Sequence, residues 1–128
     1  MAGETILLVE DNAVNRRLAE FLLRSRGYRV REATTAQEAF DLLRGERPDL
    51  ILMDVQLPTM DGLEATKKLK ENPATRDIPV IAVTSYAMKG DRERALAAGC
   101  VDYLTKPLDK TSFLELVSSY VGRKIRGN

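Results

Sequence analysis

The residues of this chain best suited to chemistry are three carboxylates at the ends of two apolar runs. Glu10 and Asp11 directly follow the run 6–9, and Asp54 directly follows the run 50–53. If both runs are parallel strands whose carboxyl ends lie side by side, the three acids meet in one crevice. Carboxylates crowded in this way raise one another's pKa unless a cation lies between them, and hard oxygen ligands favour Mg2+ or Ca2+. The spacing therefore predicts a metal site.

A hydroxyl and an ammonium can reach the same crevice. Thr84 ends the apolar run 80–83, and Lys106 follows the short run 101–104. Each also has a purely structural explanation, because Thr84 can end a strand and Lys106 can be exposed in a turn. Asp11 can likewise cap a helix, and Asp54 can belong to a turn. Since each residue is placed independently by the strand before it, their agreement favours a site that binds a phosphoryl group.

Strand-length apolar runs alternate with helical periodicity along the whole chain. The predicted strands cover 6–9, 28–33, 50–53, 80–83 and 101–104. The run 50–53 is apolar throughout, which indicates cover on both faces, as in a parallel sheet. Five βα units without a linker or repeat predict one α/β domain over 1–128, with a core of about 5–121 and a short basic tail at 122–128. The right-handed crossover rule then favours a flavodoxin-like, doubly wound, five-stranded parallel sheet of order 2-1-3-4-5 with five helices.

The helices carry recognisable start and stop signals. Asn12 is a predicted cap for the first helix, which Gly27 ends, and Thr34 or Thr35 opens the second. The fourth helix, about 89–98, contains Gly90 and only a thin apolar stripe, so we expect it to be the least firmly held. The stripes expected to be buried are Val14, Leu18, Phe21 and Leu22 in the first helix, Ala36, Ala39, Phe40 and Leu43 in the second, Leu63, Thr66 and Leu69 in the third, and Phe113, Leu116, Val117 and Tyr120 in the last, over 110–121.

The composition and charge of the chain argue against several classes of function. The chain has 128 residues, of which 44% are hydrophobic. Its formal net charge of +1 provides no strong electrostatic field that would attract nucleic acid or a membrane surface. Residues 1–4 lack the basic region and apolar core of a secretory leader, so export is not expected, and no apolar stretch approaches the ~20 residues of a membrane span. The single Cys100 favours a reducing compartment, so a cytoplasmic location is expected. We interpret the basic end of the chain as a frayed terminus rather than a binding arm.

These residues together make the chain resemble the receiver domain of two-component response regulators. The resemblance covers nearly the entire chain. The sequence around the matching residues, including Asn12, Asn15 and the stretch 84–90, is most similar to that of stand-alone, DivK-like receivers and of the receivers of hybrid kinases. The matching residues are Glu10 and Asp11, Asp54 with Leu57, Pro58, Met60, Asp61 and Gly62, then Thr84, and finally Lys106 with Pro107.

The resemblance implies a role for each acid. Asp54 is the expected nucleophile, which accepts a phosphoryl group from a phosphohistidine in an Mg2+-dependent reaction. Asp11 and Asp54 would ligate Mg2+ directly, together with the backbone carbonyl of Gln56. Glu10 would hold metal-bound water.

The resemblance also assigns a response to phosphorylation. Lys106 supplies positive charge and Thr84 a hydroxyl to the phosphoryl oxygens. Tyr103 matches the switch aromatic, which turns inward as the threonine moves, although it could also be only an edge residue of the last strand. The peptide between Lys106 and Pro107 is expected to be cis.

The resemblance further implies that two residues set the lifetime of the phosphoryl group. They are Gln56, two residues beyond the acceptor, and Tyr86, two residues beyond the threonine. Gln56 lacks a carboxylate that could act as a base, and Tyr86 is bulky enough to obstruct water. Together they predict slow self-hydrolysis, unless Tyr86 points to solvent and only extends a partner surface.

The chain contains no histidine, so its phosphoryl donor must be another molecule: a histidine kinase, a histidine phosphotransfer protein or a small acyl phosphate. The first helix, through Val14, Leu18, Arg16 and Arg17, is a candidate docking site for that donor, although the arginines could form a solvated face.

Few residues follow the fifth βα unit, so output is expected by contact through the face formed by the fourth helix, fifth strand and fifth helix. Arg94, Ala98, Tyr103 and Lys106 lie near that face in the predicted topology. The downstream target is expected to be a protein, and the chain itself to be a monomer or weak dimer.

Three other functions remain open. A phosphatase of the haloacid dehalogenase type needs a second Asp two residues beyond the nucleophile, where this chain has Gln56. A flavodoxin-like binding module would need a Ser, Thr or Gly loop after the first strand, where Glu10 and Asp11 would repel phosphate. A receiver locked in one state could serve as a scaffold, which the intact acid set argues against.

Overall fold

The computed structural model describes residues 3–85 and 88–126, with side chains described as far as Val121. Strands and helices alternate, and every strand pairs in parallel with its neighbours in the order β2-β1-β3-β4-β5. This confirms the predicted fold class. The elements are β1 (Thr5–Val9), α1 (Ala13–Arg24), β2 (Arg29–Ala33), α2 (Ala36–Leu43), β3 (Leu50–Asp54), α3 (Gly62–Glu71), β4 (Val80–Thr84), α4 (Asp91–Ala98), β5 (Asp102–Thr105) and α5 (Lys110–Arg126).

The core lies on both faces of the sheet, because β1, β3 and β4 are buried along their whole length. Alternate residues of each strand point to opposite faces. On one face, Ile6 and Leu8 pack in a cluster that includes side chains of α1 and α5. On the other, Leu7 and Val9 pack in a cluster that includes side chains of α2, α3 and α4. Continuous apolar runs are therefore what these three strands require.

The register of the strands brings their carboxyl ends to one edge. Val9 pairs with Met53, and Asp54 pairs with Val83, so the residues after β1 lie beside the end of β3. Thr84 pairs with Thr105, and the backbone N–H of Lys106 donates to the carbonyl of Thr84 at 2.7 Å. The edge predicted from the apolar runs is therefore the edge at which the polar residues meet.

Side chains cap the starts of α1, α2, α3 and α5. The Oδ1 of Asn12 accepts from the N–H of Asn15 at 2.9 Å, as predicted for α1. Of the two threonines considered for α2, Thr35 is the cap, and it accepts from the N–H of Glu38 at 3.0 Å. A cap of this kind contributes roughly 1 kcal/mol to helix stability.

The predicted buried stripe of α1 is confirmed at Leu22 and wrong at its other three residues. Val14, Leu18 and Phe21 are 71%, 44% and 70% exposed, whereas Ala19, Leu22 and Leu23 are buried. The helix carries two overlapping apolar stripes, and the one that contains the small Ala19 packs against the sheet. The other stripe remains on the surface.

Two other helices differ from their predictions in detail. Helix α4 begins at Asp91, so Gly90 lies before the helix rather than inside it, with a φ of +87° that glycine tolerates without strain. Helix α5 buries Leu114, while Leu116 and Tyr120 are only half-buried. It runs to Arg126 rather than ending at 121, and thus enters the range expected to be a frayed tail. Within the described ranges, every helix is too short or too polar to cross a membrane.

Candidate metal and phosphoryl site

Three carboxylates lie together where β1 and β3 end. Glu10 and Asp54 are 5% and 3% exposed, and Asp11 is at the surface. Each offers an oxygen within 4.8 Å of the oxygens offered by the other two. The structure therefore brings together the acids that the sequence singled out.

An ammonium lies between the two buried acids. The Nζ of Lys106 is 2.7 Å from an oxygen of Glu10 and 3.3 Å from an oxygen of Asp54. The peptide between Lys106 and Pro107 is cis, as the resemblance implied. Lys106 follows β5 directly, so its backbone is fixed by pairing with Thr84 while its side chain reaches across the cleft.

The charges in the cleft are unevenly balanced. Burial, followed by the hydrogen bond and the charge of Glu10, raises the pKa of Asp54 to about 7 against the opposing effect of Lys106. Burial alone would lower the pKa of Lys106, but its contacts with Glu10 and Asp54 outweigh burial, so that pKa is raised. The ammonium therefore stays charged and only partly offsets the acids. A donor set made of oxygens with surplus negative charge fits Mg2+.

Gln56 connects Asp54 to Thr84. Its backbone N–H donates to Asp54 Oδ1 at 3.0 Å, and its Nε2 donates to Thr84 Oγ1 at 2.6 Å. The orientation of the amide is set by the N–H of Ser85, which can only donate and lies 3.3 Å from Gln56 Oε1. The sequence assigned Gln56 a ligating carbonyl and an effect on lifetime, but not this side-chain bond.

A glycine allows the loop after β3 to fold against the site. The N–H of Gly62 donates to the carbonyl of Val55 at 2.9 Å, and Asp61 caps α3. A Cβ on Gly62 would lie 2.1 Å from the backbone oxygen of Asp54. The glycine is therefore required by close backbone approach, a reason that the sequence did not reveal.

Tyr103 lies beside a cavity rather than in the acid cleft. The cavity measures about 370 Å3 and is lined by Thr84 and Tyr103 together with residues that include Met88 and Arg94. Tyr103 is half-buried, and its hydroxyl is 3.5 Å from Asp91 Oδ2. Tyr86, which the sequence proposed as a shield, lies outside the described residues.

Arg16 is not the solvated residue that the sequence allowed for. Its guanidinium contacts the backbone carbonyls of Glu10 and Asp11. Its neighbour Arg17 is exposed.

Comparison with known proteins gives consistent matches. The family model described as the response regulator receiver domain matches residues 6–118, a range that includes every polar residue of the cleft described above. The polar-differentiation response regulator DivK of Brucella anthropi is 48% identical over 119 residues, which cover 93% of this chain and 97% of that protein.

Solved structures agree with the sequence matches. The receiver domain of a sensor histidine kinase from Pseudomonas aeruginosa PAO1, with a magnesium ion coordinated in its active site cleft, is 42% identical with a TM-score of 0.86, over 94% of this chain and 99% of that one. The signal receiver domain of a histidine kinase from Syntrophus aciditrophicus is 33% identical with a TM-score of 0.87, over 94% and 91% of the two chains.

Proposed function

The chain belongs to the response regulator receiver family, and on that basis we propose that Asp54 is the residue that accepts the phosphoryl group. Receivers of this family are phosphoacceptor signalling domains that pair with histidine kinases and use Mg2+. The observation that carries the assignment is the position of Asp54 among the contacts of the cleft. It lies beside two other acids, and its own oxygens are contacted by Lys106 and by the N–H of Gln56.

The proposed reaction is a single displacement at phosphorus. A carboxylate oxygen of Asp54 forms a bond to phosphorus as the bond to the donor imidazole nitrogen breaks, and that nitrogen leaves with the electron pair and takes up a proton. Asp11, Asp54 and the backbone carbonyl of Gln56 would hold Mg2+, and Glu10 would hold its bound water; the ion would supply positive charge to the phosphoryl oxygens.

The remaining side chains stabilise the product. Glu10 and Asp54 hold the ammonium of Lys106 in the cleft, where it can contact a phosphoryl oxygen. The hydroxyl of the buried Thr84 is the proposed donor to another phosphoryl oxygen. Because Thr84 ends β4 and Lys106 directly follows β5 of the same sheet, little rearrangement of the backbone is needed to position them.

The test is chemical phosphorylation. Acetyl phosphate with Mg2+ should add one phosphoryl group, seen by intact-mass spectrometry, and Asp54→Asn should abolish it. Asp41→Asn, the same change on the exposed side of α2, is the matched control and should label normally. Labelling of Asp54→Asn at the wild-type rate, or labelling that ignores a chelator, would show that the acceptor is elsewhere.

The donor is proposed to dock on the exposed stripe of α1, which consists of Val14, Leu18 and Phe21. These side chains recur at helical spacing on one surface. Leu18 also lines the small cavity of about 50 Å3 that Glu10 and Asp54 border, so the stripe begins at the rim of the cleft. Phe21→Ala should slow transfer from a histidine kinase or phosphotransfer protein but not from acetyl phosphate. Equal slowing with both donors would place the defect in the cleft.

Output is proposed to be by protein contact through α4, β5 and α5. Gln56 ties the acceptor to Thr84, and Thr84 borders the cavity that also contains Tyr103 and part of α4. Helix α4 has no side-chain cap at its start, which makes it an element that can shift at low cost. Beryllofluoride should therefore alter amide exchange most between 86 and 103. Changes confined to the acid cleft would argue against a contact output.

The domain extent, location and oligomeric state of the protein are part of the same proposal. A single receiver domain over 1–128, a cytoplasmic location and a monomeric or weakly dimeric state stay predictions. Size-exclusion chromatography with light scattering, with and without beryllofluoride, would measure the oligomeric state directly.

A further inference from the structure

We propose that Arg16 is a positioning residue of the metal site, whose guanidinium fixes the backbone after β1 so that the carboxylates of Glu10 and Asp11 both face Asp54. The inference rests on the proposed function, because it takes Asp11 as a metal ligand.

The guanidinium of Arg16 joins three points. Its Nη1 donates to the carbonyl of Glu10 at 3.0 Å and to the carbonyl of Asp11 at 3.4 Å. Its Nε lies 3.2 Å from Oε1 of Glu32 on β2. The Arg16 side chain is only 20% exposed, so these contacts are partly shielded from water. One side chain of α1 therefore connects the loop after β1 to the neighbouring strand.

The loop needs such a contact because of where its acids point. Successive side chains of an extended strand point to opposite faces of the sheet. Glu10 and Asp11 are successive residues, yet each has an oxygen within 4.8 Å of an Asp54 oxygen. The backbone must therefore leave strand geometry between them, and carbonyls at such a departure need new donors. Arg16 supplies donors to both carbonyls.

The other hydrogen bonds of the loop restrain groups other than the carbonyls of Glu10 and Asp11, which Arg16 contacts. The N–H of Glu10 still pairs with the carbonyl of Ala33 on β2 at 3.0 Å, and Oε2 of Glu10 accepts from the N–H of Asn12 at 3.1 Å. With its N–H held by β2 and its carbonyl held by Arg16, Glu10 is restrained on both sides. Arg16 is itself anchored in the first turn of α1, where its N–H donates to the carbonyl of Asn12 at 2.9 Å.

Charge and positioning predict opposite effects on metal binding. A guanidinium near the acids repels a divalent cation, so removing its charge should strengthen Mg2+ binding if charge alone matters. If Arg16 positions the ligands, removing it should weaken Mg2+ binding despite the more favourable charge. Arg17 is the matched control, because it has the same charge at the next position, is exposed, and makes no ion pair within the described ranges.

The experiment is an Mg2+ titration of the unphosphorylated protein followed by calorimetry and by amide chemical shifts. Arg16→Gln should weaken binding about tenfold, at the lower end of the effect of losing a residue that orients a ligand. Arg17→Gln should leave binding unchanged or strengthen it by less than about threefold, since the charge is screened. Arg16→Lys keeps the charge but loses the planar fork, so it should resemble Arg16→Gln.

A second measurement needs no metal and covers the case of a poorly folded variant. In metal-free buffer, Arg16→Gln and Arg16→Lys should speed hydrogen exchange at 10–12 while leaving the core of β3 protected. Equal Mg2+ affinities for Arg16→Gln and Arg17→Gln, or unchanged exchange at 10–12, would overturn the positioning role. Asp11→Ala separates the two proposals: if it does not weaken Mg2+ binding, the proposed ligand set fails, whereas weak binding by Asp11→Ala with normal binding by Arg16→Gln removes only the inference about Arg16.

Discussion

Replacing Asp54 by Asn should flatten the pH dependence of the domain's stability in metal-free buffer. The pKa of Asp54 is raised from 3.8 to about 7, first by burial and then by Glu10. Between those two values the folded protein binds more protons than the unfolded chain, so the free energy of unfolding falls as the pH rises. The penalty is complete above the folded-state pKa and absent below the unfolded one.

The size of the effect follows from the same shift. Well between the two pKa values, each pH unit corresponds to about 1.4 kcal/mol. Because Asp54 is already half ionised at pH 7 in the folded protein, the wild type should lose about 2 kcal/mol between pH 5 and pH 7 from this group alone. Asp54→Asn removes the titrating group and should lose correspondingly less. The charge of Lys106 opposes the rise in the pKa of Asp54, so its effect is already contained in this pH dependence.

Urea unfolding followed by circular dichroism at pH 5, 6, 7 and 8 with a chelator would measure both slopes. Asp41→Asn, on the exposed side of α2, should follow the wild-type curve. Excess Mg2+ at pH 8 should stabilise the wild type more than Asp54→Asn, because the ion binds the folded acids. Parallel pH curves for wild type and Asp54→Asn would refute the argument that the buried acid pair destabilises the metal-free domain.

Four further substitutions test the site. Gly62→Ala should destabilise the domain by about 3 kcal/mol in urea unfolding and reduce labelling by acetyl phosphate, because the added Cβ would lie 2.1 Å from a backbone oxygen. Gly45→Ala is the control and should be tolerated, since the nearest atom to its added Cβ would be 3.7 Å away. Asp11→Ala should weaken Mg2+ binding by at least about tenfold in a calorimetric titration, since it deletes a proposed ligand. Tyr86→Ala should speed loss of the phosphoryl label followed by mass spectrometry if Tyr86 obstructs water, and unchanged decay with weaker partner binding would instead assign it to an interface. Gln56→Glu should also speed that loss, because a carboxylate there could act as a base.

The position of the site could be predicted from the sequence because it depends on strand ends. An apolar run fixes where a buried parallel strand lies, and the residue that follows it is carried to the carboxyl edge. Asp54 and Thr84 were placed in this way without knowledge of any contact. Their side chains meet through Gln56, however, and that contact depends on a rotamer and an amide orientation that the sequence does not encode locally.

The sequence did not predict which face of α1 is buried, for a different reason. Its apolar residues form two stripes that overlap at Leu22, and helical periodicity does not say which one meets the sheet. The choice depends on packing, which here favours the stripe with the small Ala19. The role of Arg16 was missed for a similar reason, since it depends on how α1 returns past the end of β1.

The exposed stripe of α1 has a consequence for how this receiver can diverge. Val14 and Phe21 contribute little to the core, so substitutions there should change folding free energy by no more than about 0.5 kcal/mol. Mutation can therefore retune recognition at these positions while the acid cleft and the sheet stay intact. After a gene duplication, two copies of this domain could become insulated from each other's kinases by drift along one helix surface, with almost no loss of stability along the way.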